Sequence, residues 1–247
     1  MELAQSRAIV TGGASGLGLA TARHFREAGA EVMILDMAEA GQAEADRIGA
    51  GFQRTDVTDE ASAEAAIAAS VARMGGIDIC VNCAGIATGE RVLGREGPHR
   101  LDSFRRTIEI NLIGSFNIMR LAAAEMARNE RDENGVIVNT ASVAAFDGQK
   151  GQAAYAASKA AIAGMTLPLA RDLASQRIRV CAIAPGIFGT PMLRGLPQDV
   201  QDSLAEEVTF PKRLGEPEEY ARLAAFIVAN SYLNGEVIRM DGALRMR

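Results

Sequence analysis

The sequence predicts an α/β fold: a single Rossmann-type, doubly wound domain over residues 1–247, with a seven-stranded parallel sheet and helices on both faces. Three observations predict it. Short apolar runs alternate with longer stretches of helical periodicity along all 247 residues, as repeated βα units require. The first apolar run opens directly into a glycine-rich turn and then a helix. No internal repeat, low-complexity run or linker divides the chain, and α/β folds commonly reach this length as one domain.

Composition narrows the function classes. Hydrophobic residues make up 48% and charged residues 23%, ordinary for a globular protein that buries a full core. The net charge of −5 argues against non-specific nucleic-acid binding. No uncharged apolar run is long enough for a membrane span. Residues 1–6 carry neither a signal-peptide pattern nor an Arg-rich amphipathic one, so a cytoplasmic location is expected. Cys80, Cys83 and Cys181 are an odd, low count that suits a reducing compartment. Cys80 and Cys83 are spaced C-x-x-C, but the only histidines, His24 and His99, are not in a ligand-spaced cluster. The two cysteines read as strand residues, and no metal is expected.

Residues 8–10 are the first strand. The turn at 11–18 follows, and Leu17, Ala20, Thr21, Phe25 and Ala28 recur at helical spacing until Gly29. Residues 31–35 are the second strand, ending at Asp36, and a parallel pair needs just such a helical crossover. Gly12 permits a tight turn, Gly16 lets backbone approach a pyrophosphate, and Gly18 lets the helix pack close. N–H groups at the helix start would then face phosphates. The spacing G-x-x-x-G-x-G departs from G-x-G-x-x-G, and a lone glycine turn is commonly only a turn. Asp36, 24 residues beyond Gly12, strengthens the dinucleotide reading, since an acid there binds the adenosine ribose hydroxyls. It would also repel a 2′-phosphate, and Gly13, Ala14 and Met37 offer no cation, so NAD is the expected cofactor.

The alternation continues. Residues 51–54 are a third strand leading to Asp56 and Val57. A helix follows over 59–74, with Ile67, Val71 and Met74 on one face, and residues 77–81 are the fourth strand. Residues 86–101, with Arg91, Arg95, His99 and Arg100, read as a long solvated loop. Asp102 is expected to cap a helix to about Asn129, its apolar side formed by Ile108, Leu112, Phe116, Met119 and Ala123. Asn111 lies mid-helix, where a buried, satisfied amide is the ordinary role. The charge run at 129–134 reads as a solvated turn. Residues 136–140 are the fifth strand, and Ser142 follows its C-terminal end, where functional groups gather in open α/β sheets.

Tyr155 opens a helix to about Ser175, with Ile162, Met165, Thr166, Leu169 and Leu173 toward the core and Pro168 expected to bend it. Residues 179–183 are the sixth strand. Residues 187–212 are irregular, with a short helix at 198–207, and suit a substrate lid. A helix over 216–229 and a strand over 236–240 complete the chain. Tyr155 and Lys159 are four apart, so a helix puts both on one face. A fixed ammonium beside a phenol is expected to lower its pKa and make it a usable acid/base. On an exposed face the same spacing would be only a solvated pair. Lys212, Arg213 and Arg194, in the lid region, are candidates for meeting phosphates of a substrate, although exposed basic residues are commonly just solvated.

Together, Thr11-Gly-x-x-x-Gly-x-Gly18, Asp56, Asn82-x-Ala-Gly85, Asn111, Ser142, Tyr155-x-x-x-Lys159 and Pro185-Gly186 resemble the short-chain dehydrogenase/reductase family over the whole chain. The stretches 140–146, 164–168, 184–191 and 233–242 resemble its type 2 3-hydroxyacyl-CoA dehydrogenase subfamily, as does the long loop at 86–101. Cys83 departs from the wider family's N-N-A-G, a departure the subfamily accommodates. The resemblance implies that Tyr155 is the acid/base, that Ser142 hydrogen-bonds the reacting oxygen, and that Lys159 tunes Tyr155 and binds the nicotinamide ribose. It implies that Asn111 positions a water in the proton path. The NAD contacts it implies include Ser15, Leu17, Asp36, Asp56, Val57, Cys83 and Phe188, with Gly12, Gly16, Gly18, Ala84, Gly85, Pro185 and Thr190 around them. It also implies an acyl-CoA substrate and a homotetramer. Rival readings are a hydroxysteroid or small-alcohol dehydrogenase, an NADPH-linked reductase, which Asp36 disfavours, and a scaffold whose partner binding matters more than turnover.

Overall fold

In a computed structural model of the chain, which describes residues 1–95, 97–195 and 197–246, the apolar runs become parallel strands. The first half comprises β1 (Arg7–Thr11), α1 (Gly16–Glu27), β2 (Glu31–Asp36), α2 (Gly41–Ile48), β3 (Gly51–Arg54), α3 (Glu60–Met74) and β4 (Ile79–Asn82). A small antiparallel hairpin of β5 (Leu93–Gly94) and β6 (Gly97–Pro98) follows. Next come α4 (Leu101–Ile108), a π-helical segment (Glu109–Gly114), α5 (Ser115–Met126), β7 (Gly135–Thr140), α6 (Ala144–Asp147) and α7 (Ala153–Asp172). β8 (Ile178–Pro185), α8 (Pro191–Arg194), α9 (Gln198–Glu206), α10 (Pro217–Ala229) and β9 (Val237–Met240) complete the order.

The main sheet has seven strands in the order β3-β2-β1-β4-β7-β8-β9, all parallel. The chain winds outward to β3, then crosses back to β4 on the other side of β1. The order therefore reverses between β1 and β4, and at that point the carboxyl ends of two strands diverge to leave a crevice. Both faces are covered, so the strands are almost continuously apolar and alternate residues serve opposite layers. Val10, Ile34, Val81, Val138 and Ile183 pack with Phe25 of α1 and Tyr220 and Ile227 of α10. Ile9, Leu35, Cys80, Ile137 and Val180 pack with Ile67 of α3, Ile118 and Met126 of α5, and Ala170 of α7.

Four local expectations change. α2 is not apparent in the sequence because its only buried residues are Gly41 and Ala45, too little apolar surface to form a periodic stripe. The helix expected from Asp102 to about Asn129 is interrupted by a π-helical turn at Glu109–Gly114, and Gly114 lies so close to Val57 that a Cβ would come within 2.4 Å of it. Arg100, not Asp102, occupies the cap of α4, and Asp102 is exposed in the first turn. The run at 129–134 is not simply solvated. Asn134 is buried, Asn129 donates to the Ile77 carbonyl and the buried Asp78 carboxylate, and Glu133 pairs with Arg179. Asp59 caps α3 by accepting the Ser62 N–H at 2.7 Å, and Pro168 lies within α7. Cys80, Cys83 and Cys181 are free thiols. Among the described residues, no group of three or more His, Cys, Asp or Glu is placed to hold a metal, and no helix is long and apolar enough to cross a membrane.

Candidate active site

A cavity of about 880 Å³ opens at the carboxyl ends of the strands, over the β1–β4 reversal. Its floor begins with the glycine turn. Gly12 has φ +64° and lies against the chain after β4, where a Cβ would sit 2.8 Å from the Ala84 nitrogen. Gly18 touches the turn itself, since a Cβ there would be 2.2 Å from the Gly12 carbonyl oxygen. Gly12 and Gly18 are thus closed to side chains, and Ser15, at the N-cap, forms no side-chain cap bond. The Thr11 hydroxyl accepts the N–H groups of both Cys83 and Ala84 at 3.1 Å, which locks the segment after β4 onto the end of β1.

Asp36 stands at the end of β2. Its carboxylate accepts the Ala14 N–H at 3.0 Å and the Ala38 N–H at 2.9 Å, so the acid is held between the glycine turn and its own loop. Asp56 is fixed in the same way by the Thr58 N–H and hydroxyl. These residues fit a dinucleotide: a bare backbone turn at a helix N-terminus for the pyrophosphate, and an anchored carboxylate for ribose hydroxyls.

At the other end, Ser142 follows β7 and accepts the Ala144 N–H at 3.1 Å. Tyr155 and Lys159 project from the first turns of α7, which Ile162, Thr166 and Ala170 bury against the sheet. Lys159 is buried, and its Nζ donates to the Thr140 carbonyl at 2.7 Å and lies 5.9 Å from the centre of the Tyr155 ring. Burial pushes the Tyr155 phenol above its usual pKa of 10, with the Ser142 hydroxyl pulling the other way. This corrects the expectation that Lys159 makes the phenol more acidic: desolvation dominates. Burial also lowers Lys159 itself, from 10.5 to about 8.

That shift has a sign that can be measured. Between those two pH values the unfolded chain keeps a proton that the folded protein has released, so this group's contribution to stability grows as pH rises from about 8 toward 10.5. The contribution is lost as pH falls through about 8. Denaturant titrations of the ligand-free protein across this window are expected to show the gain, and Lys159→Met is expected to remove it. An equal gain in the variant would refute the assignment.

The cavity brings together Gly12, Ser15, Gly16, Leu17, Gly18, Asp36, Asp56, Val57, Cys83, Ala84, Gly85, Ser142, Tyr155, Lys159, Pro185, Phe188 and Thr190. Asn111 is the exception. It is fully buried behind the wall, accepting the Ile86 N–H at 2.8 Å and donating to the Ile86 carbonyl and to Ser158. The lid-region cations are also occupied: Arg194 pairs with Glu216 at 2.6 Å, Arg213 binds Glu219 through two nitrogens, and Lys212 donates to the Glu206 carbonyl. Several features escape sequence reasoning, Arg106 and Gln152 in the cavity lining among them. Met246, at the end of the chain, lines the cavity. Tyr220 is fully buried on α10 with its hydroxyl 2.7 Å from Thr140 Oγ1, and Thr140 Oγ1 donates in turn to the Asn82 carbonyl at 2.6 Å. A tyrosine on the apolar face of a helix is the available signal, because its buried hydroxyl needs a partner.

A family model described as enoyl-(acyl carrier protein) reductase matches residues 12–244. The 3-hydroxyacyl-CoA dehydrogenase type-2 of Homo sapiens is 52% identical, over 97% of this chain and 95% of its own. The protein of the same name from Drosophila melanogaster is 53% identical, over 96% of each. A crystal structure of 3-hydroxyacyl-CoA dehydrogenase type-2 from Mycobacterium avium has a TM-score of 0.93 at 44% identity, covering 98% of this chain and 96% of that one.

Proposed function

The chain belongs to the short-chain dehydrogenase/reductase family, and on that premise we propose that it oxidises the 3-hydroxyl of a short or branched 3-hydroxyacyl-CoA to the 3-oxoacyl-CoA, reversibly, with NAD. The observation that carries this reading is a single cavity with a dinucleotide cradle at one end and Ser142, Tyr155 and Lys159 at the other. The acyl-CoA class is supported by relatives of that name that are more than half identical to this chain.

A nicotinamide cofactor belongs to the family, and when bound it supplies the two-electron acceptor for the carbon being oxidised. Everything else falls to the chain. The Gly12–Gly18 turn and the start of α1 hold the pyrophosphate, and Asp36 holds the adenosine ribose. Ser142 donates a hydrogen bond to the reacting oxygen, and Tyr155 Oη exchanges the proton with it. The neutral, buried phenol is already the acid that reduction of a ketone needs, whereas oxidation requires Tyr155 to give up its proton first. Lys159 holds the nicotinamide ribose through its ammonium. Asn111, with its side chain bound to Ile86 and Ser158, acts as a positioning residue for the wall. Residues 187–212, which include α8 and α9, form the substrate lid.

The test is turnover of 3-hydroxyacyl-CoA substrates of graded chain length, run beside a hydroxysteroid and a simple secondary alcohol, each with NAD and with NADP. A steroid or simple alcohol preferred over every acyl-CoA would overturn the substrate assignment. Asp36→Asn keeps the Ala14 contact but removes the charge, and is expected to weaken the preference for NAD over NADP by about ten- to a hundredfold. An unchanged ratio would show that Asp36 does not select the cofactor.

A further inference from the structure

The segment after β9 is tied down from Asp241 to Arg245. Asp241 accepts its own turn's Ala243 N–H at 2.9 Å and binds Arg239 Nε at 2.8 Å and Arg245 Nη1 at 3.1 Å. Leu244 is 1% exposed, its N–H bonds the Asp241 carbonyl, and its own carbonyl accepts from Arg239 at 3.2 Å. From this knot, contacts run to two other parts of the protein. Arg239 Nη2 binds Asp147 of α6 at 2.6 Å, and its guanidinium lies 5.3 Å over the Phe146 ring. On the other side, the Gly242 and Ala243 carbonyls accept the Phe210 N–H and the Thr209 hydroxyl, each at 3.1 Å. Gly242 also lies against Val208, so closely that a Cβ would fall 2.5 Å from its side chain.

These anchors place the segment. α6 begins two residues beyond Ser142, and residues 208–210 close the region after α9. None of the contacts reaches the glycine turn or Asp36. The knot therefore lies at the end of the cavity that holds Ser142, and the next residue along, Met246, is part of the cavity wall.

We propose that Met246, carried by the tied-down segment 241–245, forms the wall at the substrate end of the cavity and limits how long an acyl chain the site accepts. The inference rests on the acyl-thioester reading above. Met246 offers the apolar contact an acyl chain needs, on a flexible thioether that fills irregular space. The chain leading to it is held at Asp241 and Leu244 by the Arg239 brace, so the residue is presented from a fixed segment. A fixed wall discriminates by the space it leaves, whereas a loose tail would yield to any chain.

The experiment is Met246→Ala, assayed on short, medium and long straight-chain 3-hydroxyacyl-CoA substrates, with dinucleotide affinity measured separately. The change lies at the edge of the fold, and an unchanged thermal midpoint checks that the variant is intact. The ratio of kcat/KM for the longest to the shortest substrate is expected to rise about tenfold, through KM for the long chain, with dinucleotide affinity unaltered. Met246→Leu, of similar volume, is expected to restore the parent profile. A parent with a clear chain-length preference that Met246→Ala leaves in place would overturn this inference alone. A parent that turns over no acyl-CoA would overturn the substrate reading and the chain-length role with it.

Discussion

Replacing Tyr155 with phenylalanine is expected to lower kcat by about a thousandfold, the size of effect a positioned general acid/base supplies. Dinucleotide affinity is expected to stay as it was, because the ring remains and only Oη is lost. A thousandfold corresponds to roughly 4 kcal/mol in the barrier. The expectation rests on position: Tyr155 lies on a helix buried through Ile162, Thr166 and Ala170, and faces the same cavity as Ser142. Single-turnover kinetics with saturating dinucleotide is the measurement, so that slow product release cannot mask the chemical step. Ser142→Ala combined with Tyr155→Phe is expected to cost little more than Tyr155→Phe alone, because the two groups act on one oxygen. Chemistry that survives within about tenfold, roughly 1.4 kcal/mol, would remove Tyr155 from the proton-transfer role.

The sheet is legible in the sequence because its strands are buried on both faces, and such strands are apolar runs that no solvated loop resembles. The glycine turn is legible for the same reason in reverse, since Gly12 and Gly18 occupy places where a Cβ would meet backbone. Charge is harder to read. Lys159 lies at the right spacing from Tyr155, yet sequence does not say that its nitrogen would reach the Thr140 carbonyl or that burial would outweigh any charge effect on the phenol. Asn111 is a satisfied buried amide, as its place mid-helix suggests, bound to Ile86 and Ser158. The run at 129–134 misleads because a cluster of charged residues is normally solvated, and only the fold brings Arg179 and Asp78 alongside it. Tertiary pairing of polar groups leaves no periodicity in a sequence, whereas apolar burial does.

Arg179→Met is expected to destabilise the protein by about 3–5 kcal/mol, as breaking one side of a buried ion pair does. Arg179 is 6% exposed at the start of β8, and five hydrogen bonds use its guanidinium. Nε and Nη2 hold Glu133 at 3.0 and 2.7 Å. Nη1 and Nη2 reach the carbonyls of Ile227, Val228 and Leu233, so the same cation satisfies the last turn of α10 and the chain beyond it. Methionine approximates the stem but leaves Glu133 without that partner and the Ile227 and Val228 carbonyls without the guanidinium, while Leu233 keeps only the Cys181 thiol. Glu133→Gln is expected to cost less, because the amide still accepts from Arg179 and the three carbonyl bonds persist. Denaturant unfolding is the measurement, with a lower midpoint and an unchanged slope as the expected form. A loss below about 1 kcal/mol would place Arg179 among ordinary surface ion pairs. The folded fraction is expected to keep its kcat, because Arg179 lies at the opposite end of the sheet from Ser142 and Tyr155. Arg179 and Glu133, at the amino ends of the strands, close the fold, whereas Ser142 and Tyr155, at the carboxyl ends, line the cavity.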